Sequence, residues 1–312
     1  GDRDKRRESG GGKEDKNKRW SDSEKYPEWL EERIQSLPLA QAKVEGKPEK
    51  LGKGKQAKTL KANFRLPSGE NKVAVVKELK RDRNWQFFLH NEYVSLARIT
   101  ASPSAPEEIP KVLAVFRDKA QVVVELFECE GDLYTLGHPK DVRLAFDWWR
   151  KLARAVAAAN ALEVFHCDVN PSNVLVDAAG DKLLLVDWAC SRQEASESTK
   201  VTNSKRGHYQ PGEMMKGFVG HQTDVFGVAA CLLWFLTGRT PMSKAISGQD
   251  GRQRTPESIS AILEEWLPPD GGALELSHVL FEALAEDVAE RVPTVEKLVE
   301  MVQEWEAKFN KA

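Results

Sequence analysis

The segment His166-Cys167-Asp168-Val169-Asn170-Pro171-Ser172-Asn173, followed by Val186-Asp187-Trp188-Ala189, gathers side chains whose types and spacing suit one chemistry. An aspartate such as Asp168 can orient an acceptor hydroxyl and take its proton. The amide of Asn173 and the carboxylate of Asp187 offer oxygens to magnesium, a hard cation held by few protein groups and completed by phosphates. A base and a metal placed together in this way are what phosphoryl transfer from ATP requires. The pattern H-x-D-x-x-x-x-N is weak evidence alone, because His, Asp and Asn are common in loops. Its sequel is more telling. Two apolar runs, Val174–Val176 and Leu183–Val186, are split by the turn Ala178-Ala179-Gly180-Asp181, a short hairpin that returns the chain to Asp187.

Those groups need a scaffold on both sides. Residues 1–28 are mostly Gly, Lys, Arg, Asp and Glu without apolar periodicity, and read as a disordered, charged tail. Lys16, Lys18 and Arg19 are its candidates for a docking or localisation arm. From Pro27 onward Trp29, Leu30, Ile34, Leu37 and Leu39 fall near helical spacing, which predicts a helical extension over 29–45. Residues 50–82 read as three strands, with Leu51–Ala57 a glycine-containing turn and Pro67–Glu70 a hairpin turn before the β-branched run Val73–Leu79. A helix around Trp85–Ile99 follows, then strands at Val112–Phe116 and Gln121–Phe127. Beyond about residue 131 the pattern is mostly helical: Val142–Ala161, Asp224–Thr237, Pro256–Trp266, His278–Ala285 and Thr294–Lys308. Strands first and helices after predict an α+β protein of two lobes, 46–127 and 128–312.

Composition bounds the possibilities. A chain of 312 residues with 41% hydrophobic side chains can bury one large core or two lobes. Its 46 Lys and Arg nearly balance 48 Asp and Glu, and a net charge of -2 gives no reason to expect nucleic acid or an anionic membrane as partner. The 4 Cys show no C-x-x-C, so neither a disulfide scaffold nor a zinc site is indicated. Free thiols suit a reducing compartment, cytoplasmic or nuclear, unless a secretion signal has been removed. No stretch reaches the roughly 20 apolar residues of a membrane helix. The oligomeric state is not legible.

From about residue 50 to 308 the chain resembles the eukaryotic protein kinase superfamily, as a divergent member. Besides the two motifs above, Val75-Val76-Lys77 resembles the strand that carries the phosphate-gripping lysine, and Glu92 in Asn91-Glu92-Tyr93 its helix-borne ion-pair partner. Gly52-x-Gly54-x-x-Ala57 is similar to the glycine-rich loop over the phosphates. Val122–Phe127, leading to Glu130-Gly131-Asp132-Leu133, resembles the hinge between lobes, with Val124 as gatekeeper. Gly207-His208-Tyr209-Gln210-Pro211-Gly212-Glu213 resembles the end of an activation segment, and Arg291 in Arg291-Val292-Pro293-Thr294 its structural ion-pair partner. The resemblance implies a small antiparallel-sheet lobe with one main helix above a larger helical lobe. It implies ATP and Mg2+ as cofactors and a protein substrate. Asp168 would be the base or hydroxyl orienter, with Lys77 and Glu92 completing the catalytic set and Asn173 and Asp187 the metal ligands. ATP would touch Gly52, Gly54, Val75, Lys77, Glu125, Phe127 and Leu175.

Three departures stand beside the resemblance. Cys167 replaces an arginine, so a phosphate on Thr199, Thr202 or Ser204 would find no guanidinium there. Asn170 stands where Ser/Thr kinases carry a lysine, which leaves Ser/Thr against Tyr preference open. Trp188-Ala189 replaces Phe-Gly. The expectation is transfer of the ATP γ-phosphate to Ser/Thr hydroxyls of proteins. The alternatives are a pseudokinase scaffold, suggested by the altered loop, and a small-molecule hydroxyl kinase, suggested by Asp187-Trp188.

Overall fold

The structure is a computed structural model describing residues 28–53, 57–81, 85–193, 207–248, 254–269 and 271–309. Helix α1 (Glu28–Ser36) leads into β1 (Lys43–Lys53), β2 (Ala57–Arg65) and β3 (Asn71–Leu79), then α2 (Trp85–Thr100), β4 (Val112–Phe116) and β5 (Gln121–Glu125). These strands form one antiparallel sheet in the order β1-β2-β3-β5-β4. Strand periodicity sorts β3. Ala74 and Val76 enter a small core with Leu39, Phe64, Leu113 and Val123, which puts Val75 and Lys77 on the opposite face, shared with α2.

Two expectations are corrected here. The helical extension predicted through residue 45 ends at Ser36, and β1 already begins at Lys43, pairing Lys43 with Arg65 and Val44 with Phe64. Nor do Leu51–Lys53 belong to the predicted turn, since Gly52 is still paired opposite Thr59. Lys43–Lys53 is charged and poor in β-branched residues, so local preference understates it. Pairing with β2 and the exposed Arg65–Glu45 bridge at 3.0 Å hold it as an edge strand. The tail assigned to 1–28 and the phosphosite candidates Thr199, Thr202 and Ser204 lie outside the described residues, except for Glu28.

The second part opens with β6 (Gly131–Asp132), α3 (Leu133–Leu136) and α4 (Val142–Asn160), and continues with β7 (Val174–Val176) and β8 (Leu183–Leu185). There follow α5 (His221–Thr237), α6 (Lys244–Ser247), α7 (Pro256–Leu263), α8 (Ala273–Ala283) and α9 (Val295–Phe309). Asp141 caps α4, accepting from the N–H groups of Arg143 at 2.7 Å and Leu144 at 3.0 Å. Helix α5 is apolar nearly all round and buried along most of its length, the signature of a central helix. Phe146 and Trp149 of α4 and Trp305 of α9 share one core with its own Phe226 and Phe235. An antiparallel sheet lobe followed by a helical lobe is the bilobal α+β arrangement that the sequence resemblance implies. Among the described residues, no helix is long and apolar enough to cross a membrane.

Candidate active site

The loop before β7 is held from below by α5. Asp224, 1% exposed, accepts from the N–H of His166 at 2.8 Å and the N–H of Cys167 at 2.9 Å, and from Asn160 Nδ2 at 2.9 Å. Cys167 needs that anchor, because its φ of 64° lies in the left-handed region. Helix and loop also approach closely. A Cβ on Gly227 would stand 2.9 Å from Val169 Cβ and 3.1 Å from the Val169 carbonyl oxygen, so glycine permits this contact. His166 is fully buried: Nδ1 accepts from the N–H of Asp168 at 3.2 Å and Nε2 faces the Val186 carbonyl at 3.1 Å. Burial pushes its pKa down, which suits a neutral ring bridging the two segments. Trp188 is buried beneath it, ring centroids 4.6 Å apart, donating Nε1–H to the Leu185 carbonyl at 3.0 Å.

Lys77 crosses from the sheet to this loop. Its Nζ lies 2.7 Å from Glu92 Oε2 on α2 and 2.6 Å from Asp187 Oδ1. Burial alone would lower the lysine pKa, but Asp187 and Glu92 outweigh it and hold the ammonium charged. Burial likewise opposes ionisation of Asp187, yet Lys77 keeps its pKa below the usual range. Glu92 is pushed up by burial, with Lys77 pulling the other way. One cation therefore joins β3, α2 and the turn after β8. That turn is itself constrained, since Asp187 has φ 65°.

Asp168 is gripped at both carboxylate oxygens. Asn173 Nδ2 donates to Oδ2 at 3.2 Å and to the Asp168 carbonyl at 2.8 Å, while Gln210 Nε2 donates to Oδ1 at 3.1 Å. Asn170 bridges the loop, donating to the Asp168 carbonyl at 2.8 Å and accepting from the N–H of Ser172 at 2.9 Å. Burial and the charge of Asp187 raise Asp168 to about 7, against the hydrogen bonds that favour the anion. With the Asn173 amide N–H groups turned to Asp168, its side-chain oxygen is the group left to offer a cation. Together with Asp187 it makes a sparse oxygen site of the kind magnesium accepts when phosphates complete it. Among the described residues no cluster of three or more His, Cys, Asp or Glu forms a self-sufficient metal cage.

The other nominated residues surround this centre less tightly. Gly52 lies in β1, and Gly54 falls outside the described residues. Val75 is half-buried on the Lys77 face and pairs with Val124. Glu125 ends β5 with its N–H donated to the Lys111 carbonyl at 3.0 Å, and Phe127 follows, half-buried. Leu175 is the half-buried residue of β7, between buried Val174 and Val176. Arg291 clamps Glu213 with two bonds of 2.6 and 3.1 Å and also donates to the carbonyls of Gln222 and Ala285. Burial raises the Cys167 thiol and pushes Cys190 up to about 12, so neither has thiolate character for redox control. Asp224, Asn160 and Gln210 were not singled out by sequence reasoning. A charged residue opening an otherwise apolar helix was the available sign for Asp224; nothing local marks Gln210.

A family model described as the protein kinase domain matches residues 46–302. Among curated relatives, the serine/threonine-protein kinase PrkC of Bacillus subtilis is 23% identical over 67% of this chain and 33% of its own. Calcium-dependent protein kinase 27 of Arabidopsis thaliana is 24% identical over 64% of this chain and 43% of its own. Wall-associated receptor kinase-like 3 of Arabidopsis thaliana is 26% identical over 63% of this chain and 28% of its own. The chain thus spans less than half the length of each of these relatives. The lysine–carboxylate bridge between lobes, the anchored loop and a family match over most of the sequence lead to one conclusion: the chain belongs to the protein kinase family.

Proposed function

We propose that the chain is an active, magnesium-dependent kinase that phosphorylates Ser or Thr hydroxyls of proteins. The observation that carries this reading is the contact of Lys77 with both Glu92 and Asp187, an assembled arrangement of the groups that phosphoryl transfer uses. Bound Mg-ATP would supply the transferable phosphoryl group and the metal charge that offsets its oxygens. Asp187 and Asn173 are suited to hold the metal, and Lys77 to meet the phosphates. Glu92 keeps Lys77 directed into the cleft. Asp168, half-buried and oriented by Asn173 and Gln210, orients the acceptor hydroxyl and takes its proton. The raised pKa of Asp168 supports that role, because a base poised near neutrality both accepts and releases a proton readily. The serine/threonine label of the PrkC relative supports the hydroxyl class. The four free cysteines support a reducing, cytoplasmic or nuclear setting.

The test is transfer of labelled γ-phosphate by wild type and Asp168→Asn, with Mg-ATP, to the protein itself and to casein. Acid hydrolysis of the product then identifies the phosphorylated residue type. Phosphoserine or phosphothreonine from wild type alone supports the proposal. Tight Mg-ATP binding without transfer to any acceptor would replace it with a scaffold role.

A further inference from the structure

Gln210 lies three residues before Glu213, in a segment pinned to the helical lobe by Arg291, yet its side chain turns inward and is 7% exposed. Its amide is held at both ends. The N–H of Gly207 donates to Oε1 at 3.2 Å, and Nε2 donates to Asp168 Oδ1 at 3.1 Å. Gly207 fits that turn tightly, since a Cβ there would already stand 3.2 Å from Gln210 Oε1. The other amide on the carboxylate, Asn173, belongs to the same loop as Asp168. Gln210 reaches it from a different element.

A carboxylate has a broad, two-fold torsional preference and does not hold its plane unaided. One donor on each oxygen fixes that plane, while each oxygen keeps a further lone-pair direction for an incoming hydroxyl. We propose that Gln210 is a positioning residue for Asp168, which makes the orientation of the base depend on the placement of the segment ending at Glu213. This inference rests on the reading of Asp168 as base or hydroxyl orienter. Gln210 acts through Asp168 and not on the nucleotide, so its effect belongs in turnover and not in ATP affinity.

Gln210→Leu keeps the bulk and removes the donor; Gln210→Glu keeps the shape, removes the donor and adds a negative charge beside Asp168. Both are compared with wild type and Asp168→Asn for steady-state transfer to casein, KM for ATP and melting temperature. The expected result is a loss of kcat of about 10- to 100-fold in Gln210→Leu, the scale of a misplaced catalytic group, with KM for ATP and melting temperature unchanged. Gln210→Glu is expected to be at least as impaired. If Gln210 merely fills volume, Gln210→Leu turns over like wild type, and the proposal falls. A parallel loss of ATP affinity and melting temperature in both variants would also overturn it, marking a structural role. An inactive wild type removes the reading of Asp168 and this inference together. An active wild type with inactive Asp168→Asn and active Gln210→Leu removes this inference alone.

Discussion

Replacing Asp224 by asparagine tests whether α5 sets the geometry of the catalytic loop. The carboxylate serves two donors through Oδ2, Asn160 Nδ2 and the His166 N–H, and one through Oδ1, the Cys167 N–H. The best placement of an asparagine keeps its oxygen on the Asn160 side and turns its own NH2 toward the Cys167 N–H. Leaving that buried N–H unmade costs about 1–3 kcal/mol, and each remaining bond loses roughly 1 kcal/mol when its acceptor becomes neutral. Cys167 also loses the tether that offsets its left-handed backbone. The whole effect is about 3–5 kcal/mol, within the roughly 5–15 kcal/mol of an ordinary domain, so the variant should still fold. Asp168 follows Cys167 directly, and a small displacement of the base should lower kcat by on the order of 100-fold. Urea unfolding at constant m-value reads the first number, and labelled phosphate transfer reads the second. A variant with less than about 1 kcal/mol of destabilisation and wild-type kcat would refute the anchoring argument.

Gly227→Ala should lower both melting temperature and transfer. The helix gains about 1 kcal/mol from alanine, but its Cβ at 2.9 Å from Val169 Cβ costs about 1–3 kcal/mol of overpacking and shifts the loop; a raised melting temperature would contradict this. Arg291→Ala should destabilise by about 3–5 kcal/mol in chemical denaturation, because it strands Glu213. Adding Glu213→Gln should recover part of that loss, and strictly additive effects would argue against the pair. His90 on α2 has its pKa lowered by burial from 6.5 to about 4, so in that interval the unfolded chain binds more protons. Native stability should therefore fall as pH drops from 6.5 toward 4, and His90→Gln should flatten the decline; parallel profiles for the two proteins would count against it.

Legibility followed distance along the chain. Asp168, Asn173 and Asp187 could be nominated from spacing because one loop and one short hairpin carry all three. Helices α2, α4 and α9 were readable for a similar reason, since their apolar positions repeat within the element. Strand β1 was misjudged because its reason to be extended is its neighbour β2, not its own lysine-rich residues. The N-terminal turns of α5 and α8 were missed as well. His221–Thr223 and Ala273–Ser277 start those helices where local polarity gave little sign.

By itself the sequence determined which chemical groups exist and in what order, together with a division into strand-rich and helix-rich halves. Those properties are local, written in residue type and periodicity. Only the tertiary structure decided which groups meet. Lys77 reaches Asp187 across 110 residues of chain, Asp224 reaches the Cys167 N–H across 57, and Gln210 reaches Asp168 across 42. Each contact depends on the packing of separate elements against α5 and the sheet. Burial created there raises the pKa of Asp168, and the Asp187 and Glu92 carboxylates brought to Lys77 raise that of the lysine against the opposing effect of burial.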